Sequence, residues 1–299
     1  MSAAAAPGRT PPPGAAVTVA APAKVNLALL VGPRRPDGYH EIASLLVPLT
    51  LADLVTVEHT PGLAREVRCE VAPGEDNLVA RLLRELEARL GRPFPVRVTV
   101  SKRVPAGAGL GGGSSDAAAA LRAVERLFAL RLTPRQRHAV AAAVGSDVPF
   151  FLWPGPQLAG GRGQVLRPVR LPPLHLVVAL PPVSLATATV YGWHDEDRRP
   201  DLAGFAARTR GLAAAVARAR RPADVAALVA NDLEASVVAR VPAVGELLAR
   251  LRGLGSLAAA MTGSGAAVFG LFADAAAAER ARAALAPARA WVASDLQPR

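Results

Sequence analysis

The stretch that most constrains this chain is VPAGAGLGGGSSDAAAAL, residues 104–121, where a strand pattern ends and a helix pattern begins. Glycine occupies positions 107, 109, 111, 112 and 113, and two serines follow. Glycine is the default residue where the backbone is left-handed or must closely approach a ligand. Because the spacing also satisfies G-x-G-x-x-G, a dinucleotide fold, a phosphate loop and a flexible turn all compete as interpretations.

The segments around these glycines favour the phosphate loop. A Rossmann fingerprint needs a second strand after the helix, whereas residues 133–136 open another helix with a capping-box pattern. A Walker loop carries Lys directly before Ser or Thr, but Gly113 precedes Ser114. Bare amides followed by a helix start at Ser114 and Ser115 are typical of an anion site. Asp116 is open to two interpretations, as an acid in the first turn of the helix or as a residue linked to a metal.

The composition is that of a folded protein with a small anionic substrate. The chain has 299 residues, 51% of them apolar and 20% charged, enough for one large or two ordinary domains. The net charge of +11 would suit a nucleic acid. However, the basic residues are scattered among acidic ones rather than grouped in blocks, so we expect no nucleic-acid partner. Only Lys24 and Lys102 are lysines among 35 basic residues, which singles them out as functional candidates.

The cysteine content and the N-terminal sequence indicate the cellular compartment in which the protein is expected to work. The single Cys69 excludes an internal disulfide, and no Cys/His cluster has metal-ligand spacing, so the sequence predicts no metal ligands and a reducing, cytoplasmic setting. The N-terminal residues 1–17 lack the charged and apolar regions of a signal peptide and are predicted to be a disordered tail. The uncharged run 253–273 carries Gly-Ser-Gly and Thr at its centre, which argues against a membrane span.

The rest of the chain alternates strand and helix patterns. Residues 23–31 predict a half-buried strand with Lys24 and Asn26 on its polar face. Segments 55–59 and 66–72 read as a hairpin, and 96–102 as a strand running into the glycines. A helix is predicted from Asn77 to Gly91, another from Asp116 to about Leu130, and a third from Thr133 to Gly145.

A segment rich in Pro and Gly near residues 153–173 separates the C-terminal part, where strand and helix patterns resume. This part reads as a buried strand near 174–180, several helices between 203 and 252, a strand, glycine turn and strand over 257–272, and a helix from Asp274. The sequence therefore predicts a disordered tail over 1–17, an N-terminal domain with the phosphate loop over 18–165 and a C-terminal domain over 166–299.

PAGAGLGGGSSDAAAAL resembles the ATP-binding motif of the GHMP kinases. The resemblance is narrowed to the branch acting on a cytidylyl sugar alcohol by five further segments, APAKVNLALLVGPRRPDGYHEIASL, EDNLVARL, GSDVPFFL, NDLE and MTGSGAAVFGLF. It implies an α+β, two-domain GHMP kinase fold, with an N-terminal ribosomal-S5-like domain, a C-terminal GHMP domain and the active site in the cleft between them. The implied reaction is ATP-dependent phosphorylation of the substrate 2-hydroxyl in non-mevalonate isoprenoid precursor biosynthesis.

The resemblance also implies roles for particular residues, with ATP and Mg²⁺ as cofactors. Asp147 matches the base that accepts the hydroxyl proton, and Lys24 the cation that orients that hydroxyl. The nucleotide-binding set is Pro105, Gly107, Gly109, Leu110, Gly111, Gly112, Gly113, Ser114 and Ser115. The substrate-binding set is Asn26, Tyr39, His40, Lys102, Thr187 and Tyr191. Tyr39 and Tyr191, the only tyrosines, are expected to hold the cytosine ring.

Several alternatives stay open. Asp147 could be an ordinary turn residue, His40 a structural histidine, and Gly263-Ser264-Gly265 a plain hairpin turn rather than a loop over the active site. Gln164 stands where the family's glycine-rich segment usually ends in Glu. The chain could also be a homoserine- or mevalonate-type GHMP kinase, or a catalytically silent nucleotide-binding protein on the same scaffold. A monomer or weak homodimer without membrane association is expected.

Overall fold

The computed structural model describes residues 8–71, 74, 76–197 and 202–297, so residues 1–7 of the predicted tail and residue 72 of the predicted hairpin lie outside the described part. The strands are β1 (Ala16–Arg34), β2 (His40–His59), β3 (Glu66–Cys69), β4 (Val96–Ser101), β5 (Gln157–Gly160), β6 (Val165–Pro168), β7 (His175–Leu180), β8 (Ala230–Asn231), β9 (Ala258–Met261), β10 (Val268–Phe272) and β11 (Arg289–Ser294). The α-helices are α1 (Leu78–Leu90), α2 (Gly112–Leu127), α3 (Pro134–Val144), α4 (Thr187–Asp197), α5 (Leu202–Arg218), α6 (Pro222–Ala226), α7 (Glu234–Arg240), α8 (Pro242–Gly253) and α9 (Ala275–Ala284).

The chain forms two compact units, each built from several segments. Unit 1 comprises the described residues of Met1–Ala23, Ala52–Ala106 and Gly111–Trp153. Unit 2 comprises those of Lys24–Leu51, Gly107–Leu110 and Pro154–Arg299. Strands β1 and β2 therefore contribute residues to both units, and so does the glycine-rich stretch.

Unit 1 places helices beside strands β2, β3 and β4. The last part of β2 pairs antiparallel with β4, and β4 pairs in parallel with β3. Because β4 lies between β2 and β3, the prediction of a hairpin from segments 55–59 and 66–72 is wrong. The alternation was read correctly, but period two does not say which strand is the neighbour.

The helices of unit 1 begin and end where the sequence indicates. The Asn77 side chain accepts a hydrogen bond from Val79 N at the start of α1, and Gly91 ends that helix at φ +63°. Thr133 and Gln136 form the expected capping box of α3. Helix α1 packs on α2 and α3, with Leu82 among its fully buried side chains.

Unit 2 contains an antiparallel sheet of four strands in the order β11-β7-β10-β9. Helices α8 and α9 pack against it, and its buried side chains include Phe269 and Phe272. The predicted strand, glycine turn and strand near residues 257–272 are confirmed as β9 and β10, and Asp274 caps α9 as expected. Elsewhere in the unit, β8 pairs in parallel with β1, and β5 joins β2 to β6.

Strand β1 differs from its prediction in length and burial. It begins at Ala16, inside the segment predicted as a tail, and Ala15 O accepts a hydrogen bond from His59 N. All residues from 23 to 31 are buried, so the prediction of a half-buried strand is wrong. Lys24 and Asn26 do share one face, but that face is covered by protein rather than by water.

The uncharged run from 253 to 273 is not a single element. It contains the end of α8, then β9, a turn and β10, which agrees with the argument against a membrane span. Among the described residues, no helix combines the length and apolar character needed to cross a bilayer.

Candidate active site

Lys24 belongs to a buried polar network in unit 2. Its Nζ donates a hydrogen bond of 2.6 Å to Asn26 Oδ1, and Asn26 Nδ2 donates one of 2.8 Å to Ser44 Oγ. The hydroxyl of Ser44 donates in turn to a backbone carbonyl of β1. Lys24 and Asn26 are each only 5% exposed. The predicted juxtaposition of Lys24 and Asn26 is therefore confirmed, and the amide fixes the position of the ammonium.

The turn between β9 and β10 closes on the same network. Thr262 Oγ1 accepts a hydrogen bond of 2.9 Å from Asn26 N. A Cβ added at Gly263 would lie 3.4 Å from Lys24 Nζ, so the turn backbone runs directly beside the ammonium. Asn231 Nδ2 holds this turn by donating to the carbonyls of Met261 and Gly263.

The glycine-rich loop is held to that turn by close backbone contact. Gly107, Gly109 and Gly111 all have positive φ, between +67° and +77°, which L side chains rarely adopt. A Cβ at Gly109 would lie 2.6 Å from Thr262 O and 3.0 Å from Gly265 O. The glycines therefore serve the protein's own packing and the turn geometry as well as any ligand.

Two hydrogen bonds complete this attachment of the loop. Lys24 N donates to Leu110 O, and Ala267 N donates to Ala108 O. The loop segment 107–110 is thus tied both to β1 at the Lys24 position and to the start of β10. A flexible turn would not have such contacts, so that interpretation of the glycines is wrong.

Helix α2 begins earlier than predicted and presents its first turn without a side-chain cap. Gly112 and Gly113 form the first turn, and the N-cap Gly111 makes no side-chain hydrogen bond. Ser115 is buried, and its Oγ has no hydrogen-bond partner. An uncapped helix start with a spare hydroxyl fits a phosphate group, because amides and the helix dipole both favour an anion there.

Lys102 forms two ion pairs at the edge of this helix start. Its Nζ donates to Asp53 Oδ2 at 2.5 Å and to Asp116 Oδ2 at 2.7 Å. Burial, opposed in part by Lys102, raises the pKa of Asp116 to about 7. Burial alone lowers the pKa of Lys102, but its bonds to Asp116 and Asp53 raise it overall. Asp116 lies beyond the first turn of α2, so its interpretation as a first-turn acid is wrong.

The remaining residues of the predicted nucleotide and catalytic sets are placed as follows. Asp147 is half-buried in the turn that follows α3, after the C-cap Gly145. Pro105 and Leu110 are buried, and Ser114 is half-buried in the first turn of α2. Asp147 and Lys24 belong to different compact units.

An aromatic cluster in unit 2 contains two of the predicted substrate residues, His40 and Tyr191, whereas a third, Tyr39, has a separate contact. The ring of His40 stacks on that of Tyr191 at 5.1 Å with an interplanar angle of 27°. His40 Nε2 lies 2.8 Å from Asp195 Oδ1. Tyr39 is 56% exposed, and the guanidinium of Arg162 lies over its ring at 4.6 Å from the centroid. Tyr191 therefore has His40 as a ring partner, while Tyr39 has a cation.

Two further predicted positions also have clear contacts. Thr187 Oγ1 lies 3.0 Å from Ser264 Oγ, so the start of α4 meets the glycine turn. Gln164 Oε1 accepts a hydrogen bond of 2.6 Å from Arg162 N. The side chain at position 164 holds its own loop by accepting this hydrogen bond. A side-chain oxygen of either Gln or Glu can accept it.

The sequence of this chain is similar to those of a known enzyme family. The profile of the GHMP kinases N terminal domain matches residues 77–155, and that of the GHMP kinases C terminal domain matches residues 212–289. The 4-diphosphocytidyl-2-C-methyl-D-erythritol kinase of Anaeromyxobacter dehalogenans (strain 2CP-C) is 44% identical over 277 residues, covering 89% of this chain and 83% of that protein. The protein of the same name from Deinococcus radiodurans is 41% identical, with coverage of 89% and 87%. This chain belongs to the 4-diphosphocytidyl-2-C-methyl-D-erythritol kinase family.

Solved structures agree with this family. A crystal structure of 4-(cytidine 5'-diphospho)-2C-methyl-D-erythritol kinase is 38% identical, with a TM-score of 0.79 and coverage of 94% of this chain and 100% of that one. Homoserine kinase from Cytophaga hutchinsonii has a TM-score of 0.74 at 17% identity, covering 94% and 96%, and so shares the fold. The predicted two-domain GHMP kinase fold class is confirmed.

The structure adds residues that sequence reasoning on this kinase missed. Ser44 and Thr262 complete the Lys24 network, and Asp195 partners His40. Thr262 stands directly before the Gly263 turn, so its place in the MTGSG motif was an available signal. Ser44 and Asp195 carry no such signal, because their partners are distant in the sequence.

Substitution of Gly109 by Ala should destabilise the protein far more than the same change at Gly62. Both glycines have positive φ, +77° and +80°, so the backbone strain is matched. Nothing lies within 4 Å of a Cβ at Gly62, whereas at Gly109 the methyl would meet two carbonyl oxygens. Strain alone costs about 1–2 kcal/mol. Thermal denaturation of both variants measures the difference, and equal losses would contradict a close backbone contact at Gly109.

Proposed function

We propose that this chain transfers the γ-phosphoryl group of ATP to the 2-hydroxyl of 4-diphosphocytidyl-2-C-methyl-D-erythritol, a step in isoprenoid precursor biosynthesis. The observation that carries this proposal is the Lys24–Asn26 network beside the Gly263 turn, joined through Leu110 to the glycine loop. It puts a fixed ammonium next to a loop built for phosphate. The family relationship supports the choice of substrate.

The nucleotide binds through its phosphates at the glycine loop and the start of α2. Amides of Gly111, Gly112 and Gly113 and the spare hydroxyl of Ser115 fit an anion with many oxygen acceptors. When bound, ATP supplies the phosphoryl group, and Mg²⁺ neutralises charge on the phosphates. Within the described residues there is no group of three or more His, Cys, Asp or Glu that could hold a metal ion. Mg²⁺ would be held mainly by the phosphates of ATP, and Ser115 Oγ, which has no hydrogen-bond partner in the described part of the chain, would be a further oxygen near it.

The chemical step needs a proton acceptor and a positive charge near the reacting oxygen. Asp147 accepts the proton of the 2-hydroxyl, a role that rests on its match to the family motif GSD. Lys24 orients that hydroxyl and stabilises negative charge on its oxygen as the proton leaves. Asn26 holds the ammonium by its 2.6 Å hydrogen bond and so limits where the charge can lie.

The cytidylyl end of the substrate is recognised by the aromatic cluster. Tyr191 offers a ring face for stacking, and His40, held by Asp195, offers a directional hydrogen-bond group. Tyr39 stays in the proposed set, with Arg162 over one face of its ring and the other face left for a base. Thr187 and Lys102 complete the substrate-binding set proposed from the family motifs.

We also propose that this kinase works in the cytoplasm, as the absence of a signal-peptide pattern and the single cysteine predict. We propose a monomer or weak homodimer without a nucleic-acid partner. A homoserine or mevalonate kinase remains the alternative outcome of the substrate test.

The purified protein should release ADP from Mg-ATP with 4-diphosphocytidyl-2-C-methyl-D-erythritol, and far less with mevalonate, homoserine or galactose. The reason is that DGYH and its contacts suit a cytidylyl group. A coupled ADP assay with each acceptor in turn measures this. Turnover only with mevalonate, homoserine or galactose would overturn the substrate assignment, and turnover with none would favour a silent binding protein.

Replacing Asp147 by Asn, or Lys24 by Met, should lower kcat about 10²–10⁴-fold, because each removes a group that acts on the transferring proton or charge. ATP affinity, measured by calorimetry, should stay within a few-fold of the unsubstituted protein. Asp274→Asn is the matched control, because it removes a carboxylate but keeps a good helix cap at α9. Unchanged turnover in Asp147→Asn would remove this aspartate from the mechanism.

Tyr191→Ala should raise KM for the cytidylyl substrate about 5- to 150-fold, the range expected when one stacked base is lost. KM for ATP should hardly change, and Tyr191→Phe should keep most of the affinity since the ring remains. Trp193→Ala, on the same helix, controls for loss of an aromatic ring. If Tyr191→Phe were as damaging as Tyr191→Ala, the contact would be a hydrogen bond of the hydroxyl instead of a stack.

A further inference from the structure

Asp53 is a fully buried carboxylate in β2 that the proposed chemistry does not use. Its Oδ1 accepts hydrogen bonds from Arg103 N at 2.5 Å and Val104 N at 2.8 Å. Its Oδ2 accepts the 2.5 Å bond from Lys102 Nζ. One side chain therefore fixes three consecutive residues, 102–104, at the point where the chain leaves β4 and enters the glycine loop.

Lys102 carries this attachment to the other end of the loop. Its second bond, 2.7 Å long, goes to Asp116 Oδ2 on α2. A Cβ added at Gly112 would lie only 3.3 Å from Lys102 Nζ, so the ammonium sits against the first turn of the helix. Asp53 and Lys102 together connect the residues before the loop with those after it, across the segment 105–111.

A buried carboxylate is costly unless it is paired and hydrogen-bonded. Asp53 makes one charged and two backbone hydrogen bonds, so its position is tightly defined. An ammonium has three donors, and the bonds to Asp53 and Asp116 use two of the three that Lys102 has. The remaining donor can serve an anionic oxygen of a bound ligand.

We propose that Asp53 is a positioning residue of the nucleotide site, which fixes the entry of the glycine loop directly and its exit through Lys102. This inference rests on the proposed function, because it needs the loop to bind the phosphates of ATP. Loop amides stabilise phosphates only if they point to one place before the ligand arrives. Without Asp53, ATP would have to order the loop as it binds, and the entropy lost in doing so would reduce its affinity.

The test is Asp53→Asn in the full chain, with affinities measured by calorimetry. Asn keeps the volume and one oxygen for the amides of Arg103 and Val104, but removes the charge that Lys102 pairs with. We expect the Kd for ATP to rise about 10- to 100-fold, the loss of one charged hydrogen bond. The Kd for adenosine, which lacks phosphates, should stay within twofold.

Asp295→Asn is the matched control, because Asp295 is also buried and holds a backbone amide, that of Leu174. It should lower the melting temperature without changing the Kd for ATP. An unchanged Kd for ATP in Asp53→Asn would overturn the proposal and make Asp53 merely structural, as would equal losses for ATP and adenosine.

A second variant keeps the proposal open to refutation if Asp53→Asn does not fold. Asp116→Asn keeps an oxygen for Lys102 and removes only the charge at the exit of the loop. It should weaken the binding of ATP and leave the Kd for adenosine unchanged. A normal Kd for ATP would contradict the proposal that Asp53 and Lys102 connect the two ends of the loop. If the unsubstituted protein bound no ATP, the proposed function would fail first, and the two failures are thereby distinguished.

Discussion

The site depends on one close approach of backbone to backbone, between Gly109 and the turn at Thr262. A methyl group at position 109 would lie 2.6 Å from the Thr262 carbonyl, inside any van der Waals contact. This contact brings the glycine loop against the same turn that borders Lys24. The same turn also holds the Lys24 network in unit 2, because Thr262 Oγ1 accepts a hydrogen bond from the backbone N–H of Asn26.

Much of this could be predicted from the sequence where the signal is local. Asn77, Thr133 and Asp274 mark helix starts that the structure confirms, because a capping hydrogen bond joins residues only two or three positions apart. The Lys24–Asn26 pair is also local, since alternate residues of a strand share a face. The family motifs predicted the fold class from longer segments.

The features that the sequence did not predict share a physical cause, because each depends on partners far away in the sequence. Residues 55–59 and 66–72 alternate as strands, yet only the fold decides that β4 lies between β2 and β3. Likewise, Asp53 meets Lys102 across 49 positions, so no spacing rule indicates it. Burial of both faces of β1 is a tertiary effect as well, and a polar pair on a strand is more often found facing water.

The two lysines have a consequence for the chemistry of the protein surface. Lys24 is 5% exposed, and the side chain of Lys102 is 14% exposed between two carboxylates. Every other basic side chain in the chain, histidine aside, is a guanidinium, which reagents for primary amines do not attack. Amine-directed reagents and lysine-modifying enzymes therefore find almost no accessible lysine side chain to react with. A strongly basic protein thus has an outer surface that amine chemistry hardly touches.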